Sequence, residues 1–267
     1  MTVLLQISDP HFGTEQTLAV EALALMARQQ QPDLLVLSGD ITQRARPAQF
    51  RAARAFMDRL GAPLLAIPGN HDIPLFNLWA RWKHPHARHC AAFGMDLEPV
   101  FRSPDLLVVG LNTTRAYRHE NGELSTAQID RVAMLLAGAT AAQLRIVVVH
   151  QPMAVERAVD VKNLLIGHKQ AQRIWARAGA DMVLGGHIHL PFVVPLPGLA
   201  RPLWAVQAGT AVSSRVREGA PNSVNLLRWQ AAERNCQVEQ WDFAADKGVF
   251  ACAKVTSLAV DRGLYAV

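Results

Sequence analysis

Thiols are scarce in this chain: Cys90, Cys236 and Cys252 are odd in number, far apart and without the close spacing of a thiolate metal site. A disulfide framework is therefore not expected, and a reducing, cytoplasmic setting fits best. No stretch approaches the roughly 18 uninterrupted apolar residues of a membrane span. The first residues run straight into an apolar segment with no charged n-region before it, so a signal peptide is not expected either. Blocks of like charge are also missing. The formal net charge of +5 comes from dispersed arginines, which disfavours a partner as extended as duplex DNA, although a local patch is invisible at this level. Internal repeats, low-complexity tracts and Pro/Ser linkers are absent, and half of the residues are hydrophobic, enough for one large core. The expectation is one domain over residues 1–267, with a small cap in segment 74–103.

What is present is a series of short apolar runs, each ending in a polar residue able to bind metal. The runs 3–7, 34–37, 64–67, 145–149 and 182–184 read as buried strands. They lead in turn to Asp9-Pro10-His11, Gly39-Asp40, Gly69-Asn70-His71-Asp72, His150 and Gly186-His187-Ile188-His189. Helical periodicity lies between them, at 17–30, 47–60 and 125–136, the last opened by a Ser125-x-x-Gln128 capping box. The alternation is that of an α/β protein, whose ligands bind beyond the carboxyl ends of the strands. After His189 the pattern turns to strands, near 203–207, 223–229 and 238–243. The tail after Phe243 has no reading.

A histidine at one strand end is more often a hydrogen-bonded structural residue than a ligand. Order and completeness reverse that reading. Asp9, His11, Asp40, Asn70, His150, His187 and His189 are oxygen or imidazole donors without a thiolate, a set suited to Mn, Fe, Zn, Co or Ni. The five blocks in this order resemble the calcineurin-like metallophosphoesterase superfamily, and the compact length most resembles its bacterial class III cyclic-nucleotide phosphodiesterase branch. The resemblance covers residues 1 to about 243. It implies a four-layer αββα sandwich of two mixed β-sheets flanked by helices, with the late strands forming the second sheet. It also implies a binuclear centre of two divalent or trivalent ions, Mn, Fe or Zn foremost, with Asp9, His11 and His189 on one ion and Asn70, His150 and His187 on the other. Asp40 would bridge them.

The implied activity is a phosphohydrolase that cleaves phosphodiesters, 3′,5′-cyclic nucleotides foremost, by attack of a hydroxide held on the metals. Nucleases and UDP-2,3-diacylglucosamine pyrophosphatases carry the same blocks and remain alternatives. A non-catalytic scaffold has no chemical need to keep the whole ligand set. A small phosphodiester is thus the expected partner, nucleic acid is not favoured, and the oligomeric state has no reading.

His71 adjoins a ligand and is the candidate to protonate a leaving alcohol or stabilise the phosphoryl oxygen. Asp72 is expected to hold its ring, the alternative being that it caps a following turn. Asn112, Thr210 and Arg215 sit at strand exits and are candidate substrate contacts; Arg115 sits at such an exit too and could reach a phosphate, with surface solvation or internal salt bridging favoured slightly more for it than for Arg215. His84, His86 and His89 fit a partly exposed cap better than a third metal site. His119 and His168 have no neighbouring donors. Leu75, Phe76, Leu78, Trp79 and Trp82 read as core packing, with an apolar lid as the alternative.

Overall fold

A computed structural model describes residues 1–260. The first half of the chain alternates strand and helix: β1 (Thr2–Ile7), α1 (Thr17–Gln30), β2 (Leu34–Ser38), α2 (Pro47–Leu60) and β3 (Leu64–Ile67). Next come α3 (Leu78–Lys83), α4 (Ala87–Phe93), β4 (Val100–Arg102), β5 (Leu106–Gly110), α5 (Thr126–Ala137) and β6 (Leu144–Val148). The chain then runs through α6 (His168–Ala178), β7 (Met182–Gly185), β8 (Phe192–Pro195), β9 (Trp204–Gln207), β10 (Ser223–Gln230), β11 (Asn235–Ala244) and β12 (Val249–Ala259). The capping box expected at Ser125 forms, with the serine hydroxyl accepting from Gln128 N.

Two six-stranded sheets result, ordered β12-β11-β10-β1-β2-β3 and β4-β5-β6-β7-β9-β8. Strand side chains alternate between faces, and here the two faces feed different cores. Leu5, Ile7, Leu35 and Leu37 pack outward against α1 and α2 through Leu23, Met26 and Phe56. Leu4, Val36 and Ile67 face inward and meet Val108, Ile146, Val148 and Leu184 of the second sheet. The other face of that sheet, with Val109, Val147 and Val183, buries against α5 and α6 around Trp175. The sandwich is thus helix, sheet, sheet, helix. Strands covered on both sides explain why these runs are almost wholly apolar.

Sheet membership differs from expectation for the late strands. Only β9 joins the second sheet, which begins at β4; β10 returns to pair antiparallel with β1, and β11 follows it. Continuous apolar runs fit either sheet, so register against β1 decided the outcome. The tail that had no reading supplies β12, antiparallel to β11, with Phe250 in the core beneath α1.

Segment 74–103 is also more than a cap, because its end, β4, is an edge strand of the second sheet. Phe76, Leu78, Trp79 and Trp82 are not core residues: they are 82%, 73%, 68% and 72% exposed. Among the described residues, no helix is long and apolar enough to cross a membrane.

The interface between the sheets is apolar except for one polar cluster below the strand ends. Gln6 of β1 donates to Ser38 Oγ at 3.2 Å and to the Gly185 carbonyl at 3.0 Å. Asn225 of β10 donates to Gln6 Oε1 at 3.0 Å and to the Gln207 carbonyl at 3.2 Å. Gln207 in turn donates to the Gly186 carbonyl. Such groups are tolerable in a dry interior only because they satisfy one another.

Candidate metal centre

The carboxyl ends of β1, β2, β3, β6 and β7 meet at one rim, and all seven predicted ligands stand there. Eight non-glycine residues among those described have positive φ. Five of them are Asp9 (51°), His11 (43°), Asp40 (47°), His187 (74°) and His189 (53°). Each such residue costs roughly 1–2 kcal/mol, so surrounding bonds must enforce the shape. Asp9 N donates to the Gly39 carbonyl and His11 N to the Asp40 carbonyl, both at 3.1 Å. The Asp9 carboxylate accepts from Ser8 Oγ at 2.6 Å and from His187 N at 3.0 Å, while Thr210 Oγ1 donates to the Asp9 carbonyl at 2.6 Å. Packing is equally tight at two glycines. A Cβ on Gly39 would strike the His150 ring, and one on Gly186 would strike Ser8 Oγ and the Asp9 carboxylate.

The side chains form linked groups. Ligand atoms of Asp9, His11 and His189 lie within 4.8 Å of one another, as do those of Asp40, His150 and His187. Between the groups, Asp40 Oδ2 is 3.9 Å from His11 Nε2 and Asp40 Oδ1 is 3.3 Å from His150 Nε2. Asp40 therefore faces both, as a bridging carboxylate must. Two buried atoms at this rim, Asn70 Oδ1 and His187 Nδ1, have no hydrogen-bond partner. Orphaned polar atoms are expensive in a protein interior and call for an unseen partner.

Backbone carbonyls set the tautomers. His150 Nδ1 is 2.9 Å from the Ser38 carbonyl and His189 Nδ1 is 2.7 Å from that of Arg215. A carbonyl only accepts, so each Nδ1 carries the proton and each Nε2 turns toward the centre. This donor set fits two cations of borderline hardness.

The electrostatics point the same way. Burial pushes the His11 imidazole down to about 3 and that of His187 to about 4, against the pull of the carboxylates. For His150 burial acts in the same direction, but Asp40 and Asp9 outweigh it and raise the group to about 9. Burial would raise Asp9 and Asp40, yet the neighbouring imidazoles hold Asp9 at about 2 and Asp40 well below the carboxylate range. The buried carboxylates thus recruit a proton onto His150, a place that a cation can take, while His11 and His187 stay neutral.

His71 stands at the edge. Its amide donates to Asp40 Oδ1 at 2.8 Å and its Nδ1 lies 3.0 Å from the Gln43 carbonyl. Its Nε2 is 3.2 Å from Arg215 Nη1, which also donates to Gln43 Oε1 at 3.0 Å.

Asp72 does not hold this ring, contrary to expectation. Its carboxylate accepts from the amides of Ile41, Thr42 and Gly69 and from Thr42 Oγ1, tying the β2 and β3 loops together. Burial, with Asp40 nearby, pushes it up to about 6 despite those donors. Gln43, three residues past Asp40, does the orienting through its backbone, and a carbonyl leaves no signature in sequence.

Two candidate substrate contacts are also spent on structure. Thr210 is buried on the Asp9 carbonyl, and Asn112 accepts from Thr114 and bonds the His86 ring. Arg115 donates to the carbonyls of Asn112 and Thr114 and to Gln128, internal hydrogen bonds in place of the expected solvation or salt bridge. Arg215 does line the central cavity of about 520 Å³, together with Glu120, Asn163 and Arg217, which sequence reasoning had not singled out.

The other histidines lie outside the metal-binding groups, His119 exposed beside Glu120 on a depression next to His71. His89 is buried between Phe50 and Phe93, and burial lowers it to about 3. His86 is likewise lowered to about 4, while His84 sits beside Trp79. Neither they nor His168, which lines a separate cavity, joins a metal-binding group among the described residues.

Residues 2–191 match the family model of the calcineurin-like phosphoesterases. The chain is 26% identical over 198 residues to the "probable cyclic nucleotide phosphodiesterase" of Synechococcus sp., covering 70% of this chain and 73% of that one. It is 28% identical over 211 residues to a cAMP/cGMP dual specificity phosphodiesterase of Mycobacterium tuberculosis, covering 70% of this chain but only 61% of the relative. Its fold is similar to that of a dimetal phosphatase from Danio rerio, with a TM-score of 0.68 at 13% identity, over 97% of this chain and 99% of the other. With the family match spanning most of the chain and each of its blocks standing at the rim of the sandwich, this protein belongs to the calcineurin-like phosphoesterases and is a metal-dependent phosphoesterase.

Proposed function

We propose that this phosphoesterase hydrolyses small phosphodiesters at a two-cation centre, cyclic nucleotides being the class to which its relatives point. The observation that carries the reading is Asp40 set between two imidazole groups, with the buried Asn70 Oδ1 and His187 Nδ1 beside it left without hydrogen-bond partners. Asp9, His11 and His189 would hold one ion, Asn70, His150 and His187 the other, and Asp40 both. When bound, the ions lower the pKa of a water and polarise the phosphoryl oxygen.

The protein's own groups supply the rest. The guanidinium of Arg215 only donates, so the lone pair of His71 Nε2 faces it before substrate arrives. A phosphate oxygen is the stronger acceptor and draws Arg215 away. Nε2 is then free to take up a proton from water and pass it to the leaving oxygen, returning to its lone-pair form, while the Gln43 carbonyl keeps the ring aimed.

The test is metal-depleted protein reconstituted with Mn, Fe or Zn and assayed on bis(p-nitrophenyl) phosphate, p-nitrophenyl phosphate and 3′,5′-cAMP. Turnover of both diesters at higher kcat/KM than the monoester is expected. A clear monoester preference would overturn the diester reading, and absence of turnover with every metal would overturn the catalytic one.

A further inference from the structure

The central cavity does not end at His71. A depression lined by Gln43, Arg44 and Arg81 shares Asn70 and His71 with it. Arg44 and Leu75 continue into a third space of about 200 Å³, with Arg46, Phe76 and Arg88 on its walls. The three form one groove leading away from the metal centre. No carboxylate lines its two outer parts.

Several arginines elsewhere in the chain have an acidic partner; among the described residues, the four gathered in this groove do not. Arg54, Arg59, Arg118, Arg131, Arg217 and Arg228 are ion-paired with Asp or Glu. Among the described residues Arg44, Arg46, Arg81 and Arg88 have no such partner. Arg81 donates to the Pro74 and Arg118 carbonyls, and Arg88 donates to that of Ala45, which fixes each side chain without neutralising it. Arg44 lies over the Phe76 ring, 5.6 Å from its centroid. Like charges crowded along one groove repel, and an anion that enters relieves this. Guanidinium forks match phosphate oxygens two at a time, and an exposed ring such as Phe76 offers a stacking face for a base.

We propose that this groove is a second phosphate subsite, and that the favoured substrate is an open-chain diester with a further phosphate and an aromatic base beside it, of the phosphorylated dinucleotide class. The inference rests on the phosphodiesterase reading above. A cyclic mononucleotide, with one phosphate, occupies the metal end alone and leaves the arginines unmatched.

The experiment compares the dinucleotide ApA with its 5′- and 3′-phosphorylated forms, pApA and ApAp, on Mn-reconstituted protein, with bis(p-nitrophenyl) phosphate as reference. At least one terminal phosphate raises kcat/KM by about tenfold or more, mainly through KM, as expected for a new charge-assisted contact. In Arg44→Gln/Arg46→Gln that advantage collapses toward one. Equal kcat/KM for the three dinucleotides while the reference diester turns over would overturn the subsite and leave the phosphodiesterase reading standing. An advantage that survives the double variant would overturn its assignment to these arginines. If the variant does not fold, the wild-type ratio still decides, and loss of all turnover, reference included, strikes the underlying reading instead.

Discussion

Asp40 is the carboxylate that faces both groups. It faces His11 on one side and His150 on the other, and it accepts the His71 amide. Asp40→Ala is expected to abolish turnover and reduce bound metal below two ions per chain, measured by elemental analysis; an active variant with both ions retained would refute the bridging role. His71 should separate chemistry from binding. His71→Ala is expected to lower kcat on the order of 10²–10⁴-fold on an alkoxide-leaving substrate, less on a p-nitrophenyl ester, with metal content near wild type. Equal losses on both would point to phosphoryl-oxygen stabilisation instead.

Protonation gives a third expectation at this scale. Metal-free His150 is raised to about 9, so it is protonated at neutral pH and must lose that proton to bind a cation. Metal affinity should therefore rise with pH up to about 9 and then level. Calorimetry in buffers of different ionisation enthalpy would show net proton release near pH 7, and a buffer-independent heat would contradict it. The residue scale is also where sequence was most legible, because ligand identity resides in side chains. The holders that aim those ligands, the carbonyls of Ser38, Gln43 and Arg215, could belong to any residue and had no signature. Asp72 misled for a related reason: adjacency to His71 says nothing about which way a carboxylate points once a 3₁₀ turn at Asn70–Asp72 rotates the chain.

Among the elements, the parallel strands carry the site and must not shift. Ile146 of β6 is fully buried at the inner face, two strand positions before the segment that delivers His150. Ile146→Ala is expected to cost about 2–5 kcal/mol in denaturant unfolding, with the spread set by how far the site can collapse. A loss below about 0.5 kcal/mol, typical of surface positions, would show that the inner layer is not packed as described. Strand existence was readable from the apolar runs, but sheet membership was not. β10 and β11 have the composition of any buried strand, and only pairing of β10 with β1 placed them in the first sheet. The α3 segment illustrates the reverse error. Aromatic residues in a run suggest burial, yet none of the α3 residues is buried, and Trp79 and Trp82 stay exposed.

For the whole molecule, the centre lies astride the two sheets. Asp9, His11, Asp40 and Asn70 follow strands of the first sheet, whereas His150, His187 and His189 follow strands of the second. Cations that bind the folded chain stabilise it by mass action, about 2.7 kcal/mol at a hundredfold excess over Kd. Removing metal with a chelator is therefore expected to lower Tm and restoring Mn to recover it, with an unchanged Tm arguing against ligands drawn from both sheets.

The left-handed backbone at the ligands implies a trade between activity and robustness. At His189, with φ of 53°, alanine must hold a shape that only glycine adopts freely. In the metal-free state His189→Gly should therefore be more stable than His189→Ala, the opposite of the order in an ordinary helix or strand. Selection for thermal hardiness alone would drift toward glycine at such positions and dismantle the centre as it went, so the strained ligands mark where function has overruled stability.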